Sequence, residues 1–407
     1  MSVEIINTPA VTLSTARERA LLYCLMALQF TVIVDFMIMM PLSSQLMEAF
    51  GIQPAQFGLL VSSYSLAAGA SALLASAIAD RFDRRHALLF CYGGLTIATL
   101  ACGLADSFAL LLTARIVAGI FGGVMSAVAL AIVGDVIAPQ RRGHAMGIVM
   151  LAFSLAAVVG VPLGLFIANH FHWQTPFIFL ALLCAVVFVV SWKIVPPVRS
   201  HIEIQPLPVL QSYRELLREK NHWWGFITST LVMFSGFMVI PYIAPALVAN
   251  GGLSNMELPY IYLVGGAVTL ISRPMIARYT DRYPHAKVFS IIVLLSFMPI
   301  ILMTQALSIN LWGHLLVAAV FFIFVSGRFI PCSALVTASC EPRFRGRVMA
   351  FNSAMQNLGS GLAALLAGVI MVKGEGGILL HYDWVGYISC AVGVLSIWTA
   401  KKVRAVS

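Results

Sequence analysis

The sequence predicts an all-α membrane protein, with twelve transmembrane helices arranged as two pseudo-symmetric six-helix bundles. Three observations predict it. Of 407 residues, 60% are hydrophobic and only 10% charged, and the mean hydropathy is +0.94, a balance that soluble domains of this length do not carry. Apolar runs of about 20 residues, each able to cross a hydrocarbon core roughly 30 Å thick, recur along the whole chain. A charged stretch, Asp80-Arg81-Phe82-Asp83-Arg84-Arg85-His86, returns as Asp281-Arg282-Tyr283-Pro284-His285, with Asp80 and Asp281 201 positions apart.

Taken in order, residues 1–19 form a polar arm carrying Arg17 and Arg19. Spans are expected near 20–40, 56–79, 87–105, 109–134, 144–168 and 175–195. The first is longer than a signal-peptide core and lacks a small-residue cleavage site after it, so it reads as a retained helix. A linker at 196–221 follows, with Pro196, Pro197, Pro206 and Pro208, and an amphipathic piece at 213–220 suited to the membrane surface. Six more spans are expected near 222–245, 258–277, 287–305, 311–337, 346–371 and 384–400, before a basic tail at 401–407. The chain thus divides into bundles at 20–195 and 222–400.

The basic residues fix the orientation, because short cytoplasmic loops are enriched in Lys and Arg. With a cytoplasmic start, 21 of the 25 Lys and Arg fall on cytoplasmic segments. One, Lys373, is external, and Arg115, Arg273 and Arg328 lie inside spans. Both termini are therefore expected in the cytoplasm, in an inner (cytoplasmic) membrane. A second repeat supports the two halves: Pro139-Gln140-Arg141-Arg142-Gly143-His144-Ala145-Met146 matches Pro342-Arg343-Phe344-Arg345-Gly346-Arg347-Val348-Met349 at an offset of 203. Each opens the fifth helix of its half, which points to paired bundles around a cavity.

The net charge of +9 is dispersed over short loops, so nucleic acid is excluded as a partner. The seven cysteines lack disulfide or zinc spacing and read as packing residues. No H-E-x-x-H and no Gly-Lys of a Walker A loop occur, so neither metal hydrolysis nor ATP drive is expected, and no cofactor is implied. A membrane-embedded enzyme or sensor is accordingly disfavoured; a sensor would carry an output module larger than the linker.

At this point the chain resembles the major facilitator superfamily, and within it the twelve-helix drug:proton antiporters and sugar-efflux transporters. The loop from Ser76 to Leu88 is similar to the family pattern G-x-L-a-D-r-x-G-r-r-x-x-l, with Ser76 and Asp83 at the usual glycines. Arg115-Ile116-Val117-Ala118-Gly119 resembles R-x-x-q-G, and Gly160-Val161-Pro162-Leu163-Gly164 a shortened antiporter motif whose upstream glycines are Ala156 and Ala157 here. The resemblance implies a major facilitator fold, alternating access and a gating role for the charged loops.

Among the 16 acids, Asp35 alone lies well inside a span, where an ionised side chain costs about 2.5–3.5 kcal/mol on insertion scales. Asp35 sits six residues before Pro41 and Arg115 six after Ala109, so at 1.5 Å of rise both lie roughly 9 Å below the outer surface. A carboxylate without a counter-charge in low dielectric takes up a proton, and one facing a guanidinium releases it. Asp35 is the expected proton carrier and Arg115 its modulator; the alternative is a permanent ion pair that only fixes two helices.

The charged loops are read as a cytoplasmic latch. Asp80 is expected at the N-terminus of the eleventh helix beside Arg343, Arg345 and Arg347, where the helix dipole favours an acid. Asp281, followed by Arg282, is expected beside Arg141 and Arg142, and Asp135 to pair with Arg81 or Arg84. Gly160, Pro162, Gly164, Gly265 and Gly266 are expected to form a bending contact between the halves. The substrate cavity is sketched from Phe36, Met39, Phe234, Phe237, Met238, Tyr260 and Tyr262, the amides Asn352, Gln356 and Asn357, and Arg328 as an attractor of anionic groups. The expected function is proton-driven efflux of a small amphipathic molecule or drug, an antiport of the kind that underlies drug resistance. The alternative is sugar or metabolite uptake, or facilitated diffusion, without coupling at Asp35.

Overall fold

The computed structural model describes residues 14–78, 82–138, 140–198, 216–341 and 345–404. Among them, 12 helices are long and apolar enough to cross a membrane. They are α1 Thr15–Ile38, α2 Pro54–Ile78, α3 Arg84–Gly103, α4 Phe108–Val136, α5 Arg142–His170, α6 Thr175–Ile194, α7 Lys220–Ala249, α8 Leu258–Arg282, α9 His285–Gln305, α10 Leu311–Ala338, α11 Arg345–Ile370 and α12 Tyr382–Ala400. Each matches an expected span, and the differences lie at the ends. Helix α1 begins inside the expected arm because Ser14 caps it, its hydroxyl accepting from the Arg17 N–H, with Glu18 in the first turn. Asp83, which stands where the family pattern has glycine, caps α3 by accepting from the Arg85 N–H at 2.9 Å. The same carboxylate accepts from the Val198 N–H at 3.2 Å, tying the start of the linker to the base of the first half.

Two small elements were not legible in the sequence: a helix, Ser43–Ala49, after α1, and a hairpin pairing β1 Val372–Lys373 with β2 Leu379–Leu380 between α11 and α12. Of the surface piece expected at 213–220, positions 213–215 lie outside the described residues and 216–218 are helical.

Helix α5 is not a single regular helix. It runs as Arg142–Leu155, widens into a π turn at Ala156–Gly160, and resumes at Val161–His170. Pro162 has no N–H to give the Val158 carbonyl, and the π turn directly before it absorbs the mismatch. The bend expected around Pro162 takes the form of one wide turn.

Because the long helices number twelve, the start of α1 and the end of α12 lie on one side, the terminal face; the other is the opposite face. The two halves share a hydrophobic core toward the opposite face. There Met39, Leu46 and Phe57 of the first half pack in one cluster with Met238, Tyr242 and Met371 of the second. Toward the terminal face the buried clusters separate, one holding only residues of the first half and two holding only residues of the second.

Three hydrogen bonds join described residues of the two halves, and all lie at the opposite face. The Ser44 hydroxyl donates to Asn255 Oδ1 at 3.0 Å and Asn169 Nδ2 to the Asn255 carbonyl at 2.6 Å. The Tyr242 hydroxyl donates toward the Pro54 carbonyl at 3.2 Å. Gln45 Nε2 supports this clasp by donating to Asn169 Oδ1 at 2.6 Å. Asn169→Ala removes one of the bonds that join the halves, worth about 1 kcal/mol. It is expected to shift the balance toward opening of this face by roughly fivefold, read as faster labelling of Met39→Cys by a thiol reagent in the purified protein.

Candidate functional site

The site in the first half is built by four helices, and its geometry begins with a missing side chain. Gly119 lies one turn after Arg115 on α4, and a Cβ there would collide with the Tyr64 carbonyl of α2. Without it, α2 and α4 pack backbone to backbone, and the Tyr64 ring lies under the Arg115 guanidinium, 4.4 Å from Cζ to centroid. Arg115 Nη1 donates to Asp35 Oδ2 and to the Asp35 carbonyl, both at 3.0 Å. The Thr99 hydroxyl of α3 donates to Asp35 Oδ1 at 2.9 Å. Both charged side chains are 0% exposed.

The two charges are thus enclosed within the first half and face neither lipid nor an open cavity in this conformation. Between them and the second half stand two rings. Phe36 lies 5.2 Å from Tyr64 and stacks at 5.8 Å on Phe237 of α7. Any movement of α1 against α7 is therefore transmitted to the helix that carries Asp35. Thr99 and Tyr64 were missed from the sequence; only Gly119 hinted at a close partner for α4. Thr99→Val leaves one carboxylate oxygen without its donor and is expected to cost about 1.5–3 kcal/mol, measured as a lower midpoint of thermal unfolding in detergent.

The remaining cavity candidates divide. Met39 and Met238 are fully buried in the shared core at the opposite face, with Phe234 packed beside them, so in this conformation they seal that face. Tyr260 and Tyr262 lie on opposite sides of α8: Tyr260 is 53% exposed, while Tyr262 is buried beside Phe322 with its hydroxyl unpartnered among the described residues. Asn352 is buried with its Oδ1 unpartnered among the described residues, and Gln356 is half-buried one turn along α11. Asn357 instead packs on Gly69 of α2. Arg328 is fully buried in α10 and donates to Ser235 at 3.0 Å.

Of the expected latch, Asp80, Arg81 and Arg343 lie outside the described residues, as does the side chain of Arg345. Arg84 Nε meets Asp135 at 3.1 Å, a bond within the first half. The expected meeting of Asp281 with Arg141 and Arg142 is not found. Arg141 pairs with Glu18 at 2.9 Å and Arg142 donates to the Ile137 carbonyl, while Asp281, Arg282 and Arg347 are exposed. The physical reason is the conformation: the halves are joined at the opposite face, leaving these loops apart.

The small-residue contact also needs correction. Gly160 and Gly164 pack on Val34 and Ile38 of α1, and Gly265 on Phe322 of α10, each inside its own half. Gly266 alone of these glycines crosses between the halves, where a Cβ would stand 2.7 Å from the Ala157 carbonyl in the π turn. Pro162 acts through that turn and not as a contact.

Comparison with known proteins follows the same outline. A family model described as the Major Facilitator Superfamily matches residues 25–312 and 270–405. The uncharacterized MFS-type transporter YbcL of Bacillus subtilis (strain 168) is 23% identical over 376 residues, 92% of this chain and 94% of that protein. A probable sugar efflux transporter of Mannheimia succiniciproducens is 23% identical over 364 residues, 88% of this chain and 86% of that protein. Among solved structures, a bacterial homolog of the human lysosomal transporter Spinster, in an inward-facing and unoccupied conformation, aligns with a TM-score of 0.71 at 19% identity, covering 97% of this chain and 99% of that one. A D-xylose-proton symporter aligns with a TM-score of 0.74 at 15% identity, covering 97% and 100%.

Proposed function

The chain belongs to the Major Facilitator Superfamily and is an integral membrane transporter, not an enzyme, and on that premise we propose that it exports a small amphipathic molecule in exchange for protons by alternating access. Its termini lie in the cytoplasm, in the cytoplasmic membrane, as the distribution of Lys and Arg supports. The structure then corresponds to a state closed to the outside.

The observation that carries the reading is the Asp35–Arg115 pair, enclosed with Thr99 and separated from the second half by the Phe36–Phe237 stack. In the closed state Arg115 pairs with the carboxylate. As α1 parts from α7 the stack opens, the outer end of the bundle is wetted, and Asp35 exchanges its partner for a proton from outside. Return to the closed state delivers that proton inward. An inward proton releases about 2.3 kcal/mol per 100 mV of membrane potential, which drives the export. Asp80, Asp281 and the arginines of the loops close the terminal face in the alternate state, and Asn352 and Gln356 present amides to the substrate.

A second reading is transport of a sugar or metabolite without coupling at Asp35. One feature favours it: Arg115 grips both the carboxylate and the backbone carbonyl of Asp35, as a fixed helix staple would. Flux separates the two readings. A panel of small molecules is screened by thermal shift on the purified chain, and proton movement with each hit is followed in liposomes carrying a pH-sensitive dye. Coupling expects substrate-dependent proton flux in the wild type; substrate flux with no proton movement sinks the first reading and leaves the second.

A further inference from the structure

The second half repeats the arrangement of the first with one member missing. In the first half a buried arginine on the fourth helix bonds an acid on the first helix. In the second half Arg328, on the corresponding helix α10, reaches across to α7 and finds the hydroxyl of Ser235 instead, at 3.0 Å. Ser235 is already engaged, donating to the Ser389 carbonyl of α12 at 2.8 Å. Arg328 is 0% exposed, and among the described residues no carboxylate pairs with it and its Nε and Nη2 have no hydrogen-bond partner. Arg115 leaves the same two nitrogens without partners among the described residues, so what sets Arg328 apart is the missing counter-charge, and a buried guanidinium without one is a costly arrangement that a bound anion removes.

The surroundings suit such an anion. Gly236 packs against the guanidinium, and a Cβ there would stand 3.1 Å from Nη2, so Arg328 reaches α7 only because this position carries no side chain. Helix α10 is interrupted at the arginine, with regular segments ending at Gly327 and restarting at Phe329. Pro331 withholds the N–H that the Gly327 carbonyl would otherwise accept, which loosens the helix beside the site.

We propose that Arg328, with Ser235 and against the side-chain-free surface at Gly236, forms a site for a compact monovalent anion, either the carboxylate of the transported molecule or a chloride ion. The proposal rests on the transporter reading above and deepens it by giving the ligand a charge. The anion is admitted when α10 flexes at its interruption, and it supplies to the second half the negative charge that Asp35 supplies to the first.

The test is thermal unfolding of the full chain in detergent, in a gluconate buffer of constant ionic strength, titrated with chloride, acetate and benzoate. The site expects a saturable rise in midpoint with at least one of these anions, and a loss of at least tenfold in apparent affinity in Arg328→Gln, with Arg328→Lys between the two. Saturation by chloride alone assigns an ion site; saturation by the carboxylates assigns a substrate group. A wild-type midpoint indifferent to all three overturns the proposal, as does an effect unchanged in Arg328→Gln. Should Arg328→Gln fail to fold, Gly236→Ala, which keeps the charge and narrows the site, is expected to weaken binding at least tenfold, and an unchanged affinity there also overturns it. Asp35→Asn is expected to retain the titration, so failure of proton coupling and failure of this site are read separately.

Discussion

Asp35→Asn is expected to abolish proton-coupled transport, at least a hundredfold in liposomes under an imposed pH gradient, and to destabilise the chain as well. The substitution leaves Arg115 enclosed without a counter-charge, and breaking one member of a buried pair costs about 3–5 kcal/mol. The double variant Asp35→Asn/Arg115→Gln removes both charges and is expected to regain most of the thermal stability while remaining uncoupled. This cycle separates carrier from staple. If the double variant folds well and still moves protons with substrate, Asp35 does not carry them; if it folds well and moves substrate alone, the carboxylate couples the two fluxes.

Gly58→Val is expected to have the second large effect, of another kind. Gly58 of α2 is where the second half closes on the first, and a Cβ there would stand 2.5 Å from the Tyr242 hydroxyl and 2.6 Å from the Ala364 carbonyl of α11. The carbonyl belongs to a helix backbone and cannot rotate away. The closed arrangement of this face is thus blocked, whereas a conformation with α2 and α11 apart tolerates valine freely. Transport is expected to fall at least tenfold with the fold retained, and labelling of Met39→Cys in this background to be rapid. Slow labelling and normal transport would show that the two helices do not need to meet here.

The helices were legible because each is long and apolar enough to cross a bilayer, and because Lys and Arg recur in every second connection and are nearly missing from the others. Asp35 and Arg115 stood out for a related reason: charges within an apolar span have few places to go but each other. The partners around them were not legible. Thr99 and Tyr64 are ordinary helix residues whose role depends on which neighbour each helix turns toward, and hydropathy does not encode rotation about a helix axis when the outside is as apolar as the inside. For the same reason Tyr260 and Tyr262 were grouped although they point to opposite sides of α8. The clasp of Ser44, Asn169 and Asn255 escaped because its residues come from a short helix, the end of α5 and a loop, far apart in the chain. The pairing of Asp281 with Arg141 failed differently: in this structure Arg141 is taken by Glu18 and Asp281 is exposed.

The wide turn at Ala156–Gly160 has a further consequence. It holds one surplus residue relative to an α-helical path, so the stretches before and after it are out of phase by about 100°. Deleting one residue among 156–160 is expected to restore a regular helix and leave Gly164 against Ile38, whereas an equal deletion in the regular α6 would turn every residue after it by about 100°. Helix α5 is in effect two rods on a slipped gear, and the tooth that slips is the one touching Gly266 across the midline.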